Sequence, residues 1–175
     1  MKGDPKRLKK ELSEIRLFAM DVDGTLTDGK IYISDSGEAM KAFSPKDGLG
    51  IKLLIKHGII PAIITGRTSK IVENRCREIG IKVLYQGIRD KAAILKEIMN
   101  QYGLLPAQVA YIGDDMNDLS AIETAGITFA PADCAVQLVP YIDILLSRKA
   151  GESPVREAID LILEGRLTLS DYTDL

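Results

Sequence analysis

The sequence predicts an α/β fold, built as a doubly wound and mainly parallel sheet with helices on both faces. Two observations lead to this prediction. Short apolar runs such as residues 17–20 and 59–64 are nearly continuous, as in strands that are buried on both sides. Amphipathic segments separate these runs and end at Gly58, Gly80 and Gly103, and glycine commonly follows the last residue of a helix. Strands that alternate with helices in this way form parallel sheets.

The elements follow this alternation along the chain. The predicted strands span residues 17–21, 59–64, 81–85, 109–112, 127–130 and 142–145, and the predicted helices span 5–15, 47–56, 68–79, 90–102, 116–125 and 154–164. A β-hairpin at about 30–43 interrupts the pattern, with its turn at Asp35-Ser36-Gly37. We expect it to form a flap over the end of the first strand. The polar tail from about 165 to 175 is expected to be mobile or to dock on a neighbouring molecule.

Length and composition favour one globular domain over residues 1–175. A net charge of -2, from 23 basic and 25 acidic residues, gives no electrostatic case for nucleic acid or an anionic membrane as partner. The chain has no apolar run near the roughly 18 residues of a membrane span, and its N-terminus is charged. Cys76 and Cys134 are far apart, as expected for reduced thiols. These features predict a cytoplasmic protein.

Polar side chains follow several of the predicted strands at the point where each strand ends. Asp21 and Asp23 follow the first strand, Thr65 follows the second and Asp114 follows the fourth, while Lys91 begins the helix after the third. In open parallel sheets, ligands bind at the carboxyl ends of the strands. We therefore expect three carboxylates, a hydroxyl and an ammonium to meet at one edge of the sheet.

Each of these residues also has a purely structural interpretation. A bare acidic pair is commonly an acidic turn, Thr65 is a good helix N-cap, and Lys91 taken alone could be an exposed helix lysine. Asp114 or Asp115 could cap the helix that follows. None of these local interpretations explains why several strands are each followed by a residue suited to the same chemistry.

Phosphoryl transfer through an aspartyl-phosphate is the chemistry that uses this set. Asp21 is expected to attack phosphorus. The side chain of Asp23 is expected to protonate the leaving alkoxide and then to activate water. Thr65 would donate a hydrogen bond to a phosphoryl oxygen, and Lys91 would neutralise charge on the nucleophile and the phosphate.

A magnesium ion is expected at the same place, because the nucleophile and the substrate are both negative. Mg²⁺ prefers oxygen ligands and usually takes one or two carboxylates. We expect those of Asp21 and Asp114, together with the backbone carbonyl of Asp23. Asp118 lies one helical turn beyond Asp114 and is expected, with Asp115, to support the metal ligands from behind.

Four motifs resemble those of the haloacid dehalogenase superfamily of phosphatases: DVDGT at 21–25, ITGR at 64–67, RDK at 89–91 and GDDMND at 113–118. Segments 26–52, 64–76, 84–87 and 110–119 closely resemble the phosphatases that act on 3-deoxy-D-manno-octulosonate 8-phosphate, enzymes of lipopolysaccharide precursor synthesis. The resemblance covers roughly residues 14–165. It implies a Mg²⁺-dependent phosphatase with a small sugar-phosphate substrate, a homotetrameric assembly, Asp21 and Asp114 as the metal carboxylates, and Asp23 as acid and base.

The resemblance also implies which residues contact the substrate. They are Asp23, Ser44, Pro45, Lys46, Asp47, Gly48, Lys52, Gly66, Arg67, Arg75 and Lys91. Basic side chains suit a substrate with a phosphate at one end and a carboxylate at the other. The family has Arg more often where this chain has Lys46 and Lys52, and Lys keeps the charge without the bidentate geometry. Residues 150–157 also depart from the glycine-rich sequence that the family has before its last helix.

The spacing between motifs leaves no room for a cap domain. Only the hairpin and one helix separate Asp21 from Thr65, and one helix and one short strand separate Thr65 from Lys91. We expect neighbouring subunits to supply the lid, with hairpin 30–43 at the interface.

Three alternatives stay open at this point. One is a phosphatase for 2-keto-3-deoxynononate 9-phosphate or a related sugar phosphate. Another is a phospho-accepting receiver domain, although in receivers the acceptor aspartate follows a later strand than it does here. The last is a catalytically inactive module, which the presence of every predicted catalytic residue disfavours.

Overall fold

A sheet of six parallel strands forms the centre of the computed structural model, which describes residues 5–173. The strands of the chain are β1 (Leu17–Met20), β2 (Tyr32–Ser34), β3 (Gly37–Met40), β4 (Ile60–Ile64), β5 (Val83–Tyr85), β6 (Val109–Ile112), β7 (Ile127–Ala130) and β8 (Ile144–Leu145). The central sheet has the order β5-β4-β1-β6-β7-β8, and β2 and β3 pair separately as an antiparallel hairpin. The predicted parallel sheet and hairpin are confirmed.

Helices cover both faces of this sheet. They are α1 (Pro5–Ser13), α2 (Pro45–Lys56), α3 (Lys70–Ile79), α4 (Lys91–Tyr102), α5 (Leu119–Ile122) and α6 (Pro154–Ile162). Single 3₁₀ turns lie at Pro106–Gln108, Met116–Asp118, Val139–Tyr141 and Leu169–Tyr172. The predicted helix 116–125 is shorter than expected, because Asp118 turns its carboxylate back to the amide of Asp114 and the first turn is 3₁₀.

Alternate residues of each central strand face opposite sides of the sheet, and this produces two cores. In β1, Phe18 and Met20 pack on the side of α1, α2, α3 and α6, while Leu17 and Ala19 pack on the side of α4 and α5. The rings of Phe18 and Phe129 pack edge to face with 5.9 Å between their centroids. Burial on both faces explains why the strands are almost entirely apolar.

The chain changes winding direction next to β1. From β1 it moves outward through β4 to β5, then returns to place β6 on the other side of β1 and continues to β7 and β8. Loops at such a switch point diverge and leave a crevice at the carboxyl ends of the strands. Asp21 and Asp114, which follow β1 and β6, lie astride this crevice.

The C-terminal segment, expected to be mobile or to dock on a neighbouring molecule, has contacts within its own chain up to residue 173, where the described residues end. Residues 165–173 fold against the same chain, and the carboxylate of Asp171 lies 3.5 Å from Lys56 Nζ and 3.4 Å from His57 Nε2 at the end of α2. Asp171 also accepts a hydrogen bond from the amide of Thr168. Composition alone missed this docking, because it depends on the end of α2, more than a hundred residues earlier in the sequence.

The helices among residues 5–173 do not have the length and apolar character that would be needed to cross a membrane.

Asp47 joins the N-terminal ends of α2 and α6. Its side chain is buried, and Oδ1 accepts a hydrogen bond of 2.7 Å from the amide of Arg156 in α6. Ser44, the N-cap of α2, meets Ser153, the N-cap residue of α6, with 2.7 Å between their hydroxyl oxygens. Burial raises the pKa of Asp47 to about 6, because its second oxygen is buried without a partner among the described residues.

This raised pKa predicts a pH-dependent stability. Between about pH 4 and 6, folded Asp47 keeps a proton that the unfolded chain has released, so the free energy of unfolding falls as the pH rises through this window. Asp47→Asn keeps the acceptor for Arg156 and removes the buried charge. We expect this variant to be more stable than wild type by about 1–2 kcal/mol at pH 7.5 and equally stable near pH 4.

Denaturant unfolding at both pH values measures this difference. Asp35→Asn, on the exposed hairpin turn, is the matched control for loss of one carboxylate and should change little. A less stable Asp47→Asn at pH 7.5 would contradict the prediction.

Candidate active site

Three carboxylates converge at the crevice between β1 and β6. Oxygen atoms of Asp21, Asp114 and Asp118 all lie within 4.8 Å of one another. Asp21 is held at the end of β1 by a hydrogen bond from its amide to the carbonyl of Ile112 in β6, which continues the pairing of the two strands. The central sheet itself therefore determines how closely Asp21 and Asp114 approach.

A buried ammonium lies among these carboxylates. Lys91 is the first residue of α4, and its Nζ lies 2.9 Å from Asp21 Oδ1 and 2.6 Å from Asp118 Oδ1. Its side chain is only 1% exposed. Burial works against the charged form, but Asp21 and Asp118 outweigh it and raise the pKa of Lys91. The lysine therefore stays protonated beside the expected nucleophile.

Asp118 is the most firmly held of the three carboxylates. Its Oδ1 accepts hydrogen bonds from Lys91 and, at 2.7 Å, from the hydroxyl of Tyr111, while its Oδ2 accepts from the amide of Asp114 at 3.1 Å. A Cβ at Gly113 would lie 2.3 Å from Asp118 Cγ, so only glycine permits this approach. With both oxygens engaged, Asp118 is suited to orienting the loop of Asp114 and the ammonium of Lys91.

The loop after β1 shapes the side of the site that faces Asp114. Gly24 has φ of +87°, and a Cβ there would meet Asp114 Oδ2 at 2.0 Å. The hydroxyl of Thr25, fully buried, donates a hydrogen bond of 3.2 Å to Asp114 Oδ1. The glycine therefore allows the Asp114 carboxylate to approach the backbone of this loop, and the threonine orients it.

Burial, together with the crowding of negative charge, raises the pKa values of two of these groups. Burial, with the charge of Asp118, raises the pKa of Asp21 to about 6. Burial, with the charges of Asp21 and Asp118, raises the pKa of Asp114 to about 7. One ammonium does not offset three carboxylates, so a divalent cation would stabilise the ionised cluster. The oxygen donors fit a hard ion such as Mg²⁺.

The side chain of Asp23 lies away from this cluster. Its Oδ1 contacts the ammonium of Lys41, which follows β3 of the hairpin, and its Oδ2 lies 3.9 Å from Arg67 Nε. This placement is compatible with the two roles expected of Asp23: its backbone carbonyl would bind the metal, and its side chain would transfer protons. Of the two carboxylates in the first motif, only that of Asp21 belongs to the metal-compatible group.

The ITGR motif lies on the other side of β1. Thr65 follows β4 and is buried, and its amide donates to the carbonyl of Tyr85 at 3.0 Å. Gly66 and Arg67 follow it, and the Arg67 side chain is 51% exposed above Asp23. The structure thus brings Asp21, Thr65 and Lys91 to one edge of the sheet, as expected.

The segment expected to contact the substrate is divided between surface and interior. Pro45 and Lys46 are exposed at the start of α2, whereas Asp47 and Gly48 are buried against the rest of the chain. A Cβ at Gly48 would lie 2.4 Å from a nitrogen of Arg75, so the glycine makes room for that guanidinium.

Two of the basic residues lie beside a shallow hollow next to α2. Arg75 packs its guanidinium 5.8 Å from the ring centre of Phe43 and donates to the carbonyl of Ser44 at 3.4 Å. Lys52 borders the hollow, which has a volume of about 230 Å³, together with Arg75 and Leu49. Lys46 and Lys52 are exposed on α2 and lie outside the carboxylate cluster.

Comparison with known proteins decides the family. A model of the haloacid dehalogenase-like hydrolases matches residues 44–126. The 3-deoxy-D-manno-octulosonate 8-phosphate phosphatase KdsC of Escherichia coli K12 is 42% identical over 155 residues, which are 87% of this chain and 82% of that protein. The chain belongs to the 3-deoxy-D-manno-octulosonate 8-phosphate phosphatase family.

Solved structures of the family have the same fold. The crystal structure of the phosphatase from Yersinia pestis gives a TM-score of 0.87 at 42% identity and covers 89% of this chain and 84% of that one. The phosphatase from Moraxella catarrhalis, in complex with magnesium, phosphate and a KDO molecule, gives 0.88 at 39% identity and covers 91% and 92%. The predicted family and the predicted uncapped fold are both confirmed.

Three residues of the site have no role predicted from the sequence. Thr25 is one position of the first motif without a separate predicted role, and Tyr111 has the pattern of an ordinary strand residue in the core. Lys41 is one of many lysines, and its contact with Asp23 depends on how the hairpin folds back. The spacing of Tyr111 seven residues before Asp118 is the only sequence signal for these contacts, and it becomes informative only once the turn at Gly113 is known.

The raised pKa values predict how a cation affects stability. At pH 7.5, Mg²⁺ should raise the melting temperature of the wild type, because it binds the folded carboxylates and not the unfolded chain. Asp114→Asn should raise the melting temperature without Mg²⁺, since it removes a crowded charge, and should abolish most of the shift with Mg²⁺. Asp35→Asn is the control and should keep the full shift. An undiminished Mg²⁺ shift in Asp114→Asn would contradict this placement of the ion.

Proposed function

We propose that this chain hydrolyses 3-deoxy-D-manno-octulosonate 8-phosphate to the free sugar acid and phosphate, with Mg²⁺ as cofactor and an aspartyl-phosphate on Asp21 as intermediate. The arrangement of Lys91 and the carboxylates around Asp21 is the observation on which this proposal rests. Membership of the phosphatase family, and the KDO and phosphate bound to the Moraxella relative, support the choice of substrate.

The residues that would hold Mg²⁺ are Asp21 and Asp114, through their carboxylates, and Asp23, through its backbone carbonyl. A bound Mg²⁺ supplies charge neutralisation between the carboxylate nucleophile and the phosphate oxygens. Asp118 and Asp115 would orient these ligands without binding the metal themselves. The hydrogen bonds that Asp118 receives from the amides of Asp114 and Asp115 favour this role.

In the first step, an oxygen of Asp21 attacks phosphorus while the bond from phosphorus to the sugar oxygen breaks. Lys91 lies 2.9 Å from Asp21 and keeps the nucleophile ionised and oriented. The Thr65 hydroxyl donates a hydrogen bond to a phosphoryl oxygen. The carboxyl of Asp23 gives its proton to the departing alkoxide, so that the sugar leaves as an alcohol.

In the second step, water attacks phosphorus and the bond from phosphorus to Asp21 breaks. Asp23, now a carboxylate, takes the proton of the attacking water and is ready for another cycle. The contacts support this separation of roles. Asp21 is enclosed by Lys91 and Asp118, whereas Asp23 is 18% exposed at the mouth where the leaving group departs.

Substrate recognition would use the basic residues around this mouth. We propose Arg67 and Lys91 for the phosphate end, with Gly66 providing space beside them. The carboxylate end would meet basic residues of segment 44–48 and of the adjoining hollow, namely Lys46, Lys52 and Arg75. The exposure of Lys46 and Lys52 favours contacts with a substrate that is shared between subunits.

The alternatives receive less support. The curated relatives favour the octulosonate over the nononate phosphate. A receiver domain is disfavoured because Asp21 follows β1 beside the switch point and the chain belongs to a phosphatase family. An inactive module is disfavoured because Asp21, Lys91, Asp114 and Asp118 are assembled in contact.

Replacing the nucleophile tests the chemistry. Asp21→Asn should lower kcat for phosphate release by at least about 10³-fold, since the amide cannot form the intermediate, while the melting temperature stays within a few degrees of wild type. Acid-quenched wild type should retain phosphate on Asp21, and the variant should retain none. Normal turnover by Asp21→Asn would refute the aspartyl-phosphate route.

Comparative turnover tests the substrate. With Mg²⁺ present, we expect the octulosonate 8-phosphate to exceed 2-keto-3-deoxynononate 9-phosphate and simple hexose phosphates by a hundredfold or more in kcat/KM. That ratio corresponds to about 2.7 kcal/mol of transition-state binding. Equal and slow turnover of all these esters would keep the phosphatase chemistry and reject the substrate.

We also propose a homotetramer in which neighbouring subunits cover the site. Four apolar side chains on the hairpin are exposed: Ile31, Tyr32, Ile33 and Met40. Ile33 is 74% exposed, although it lies in a strand. An exposed apolar surface on a flap beside an uncapped site favours an interface between copies of this chain.

A charge on this hairpin surface tests the assembly. Ile33→Glu should dissociate the tetramer in sedimentation velocity at micromolar concentration and lower activity at least about tenfold, because a charge cannot be buried at the interface without a partner. Leu105→Glu, at a side chain 68% exposed far from the hairpin, is the matched control and should stay assembled. A fully active wild-type monomer would overturn the proposal.

A further inference from the structure

The hairpin reaches the active site through one lysine. Lys41 directly follows β3, and its Nζ contacts Asp23 Oδ1 and lies 3.0 Å from Glu38 Oε1. The side chain of Lys41 is only 2% exposed, close to the value for Lys91. Lys91 begins helix α4, which packs on the central sheet, whereas Lys41 belongs to the separate hairpin.

Glu38 extends this contact to another element. Its second carboxylate oxygen accepts a hydrogen bond from the hydroxyl of Ser69, the N-cap of α3. The contacts therefore run from Asp23 through Lys41 and Glu38 to Ser69. They join the loop after β1, the hairpin and the start of α3, so the hairpin is held closed by polar contacts at the mouth of the site.

We propose that Lys41 is a positioning residue for Asp23, which makes proton donation to the leaving group depend on the closed hairpin. This inference rests on the proposed phosphatase function and adds to it a residue that acts through Asp23. Lys41 binds Oδ1 of Asp23 and fixes the plane of its carboxyl group. The other oxygen, Oδ2, is then the one that gives and takes the proton. Arg67 Nε, 3.9 Å from Oδ2, is too far to hold that oxygen by a hydrogen bond.

A second carboxylate helps to hold Lys41 in place. A buried ammonium requires carboxylate partners, and Asp23 is one of them. Glu38 supplies a second carboxylate 3.0 Å from the same nitrogen. Lys41 is therefore fixed between Glu38 and Asp23, and it holds Oδ1 of Asp23 in one orientation.

The dependence on the leaving group distinguishes positioning of an acid from a general structural role. An alkoxide leaves phosphorus readily only if it receives the proton of Asp23 as the bond breaks, and the sugar departs as an alcohol. In p-nitrophenyl phosphate, the leaving group departs as a stable phenolate and needs no proton. Both esters transfer the same phosphoryl group to Asp21.

The experiment uses the full chain with Mg²⁺ and measures single-turnover release of the sugar acid and of p-nitrophenolate. Lys41→Met should slow release from the sugar phosphate at least tenfold more than release from p-nitrophenyl phosphate, with little change in KM. Lys41→Arg keeps the cation and should recover most of the rate. Lys30→Met, on the same hairpin but 71% exposed and paired with Asp28, should match wild type.

Both rates come from one sample, so their ratio does not depend on how much of a variant is folded. An equal loss on both esters in Lys41→Met would overturn the positioning role, and so would an unchanged rate on the sugar phosphate. If wild type hydrolyses neither ester, the proposed function itself fails, and the inference fails with it. Turnover of both esters by wild type with an unaltered ratio in Lys41→Met rejects the inference alone.

Discussion

The ammonium of Lys91, enclosed between Asp21 and Asp118, is the interaction on which the rest of the site depends. Burying one charge alone costs several kcal/mol, and a buried cation is tolerated only where carboxylates surround it. The three residues come from the end of β1, the start of α4 and the turn after β6. The segments that connect the strands must therefore bring these three residues together for their charges to compensate one another. The fold thus holds the nucleophile in place beside a fixed ammonium before any substrate arrives.

This arrangement leaves an excess of negative charge at the site. The pKa of Asp114 is raised to about 7 by burial and by its acidic neighbours, so the charges of the cluster are not balanced by the protein alone. The negative charge that destabilises the isolated protein favours binding of a divalent cation. The cation in turn allows the anionic phosphate ester to bind beside the carboxylates. Asp47 illustrates a different use of a buried carboxylate, since it joins two helix N-termini away from the metal-compatible group.

The hairpin has the opposite character to the rigid sheet. It pairs only with itself, shows apolar side chains such as Ile33 to the outside, and turns Glu38 and Lys41 inward over the site. An uncapped enzyme must limit the access of water by some other means. A flap whose inner surface contacts the acid and whose outer surface suits a neighbouring subunit would join assembly, closure and proton transfer in one short segment.

The sequence by itself determined the parallel sheet, the hairpin, the places of Asp21, Thr65 and Asp114 after strands, and the place of Lys91 at the start of a helix. The period of apolar residues and the ends of strands and helices are local properties. Segment 116–125 was less well predicted, because its shape depends on the contacts of Asp118 with Asp114 and with the distant Lys91. The packing of residues 165–173 depends on the end of α2. Only the tertiary structure decided that Lys41 contacts Asp23 and that Asp47 faces α6. Contacts between residues far apart in the chain depend on the packing of whole elements, which no local pattern encodes.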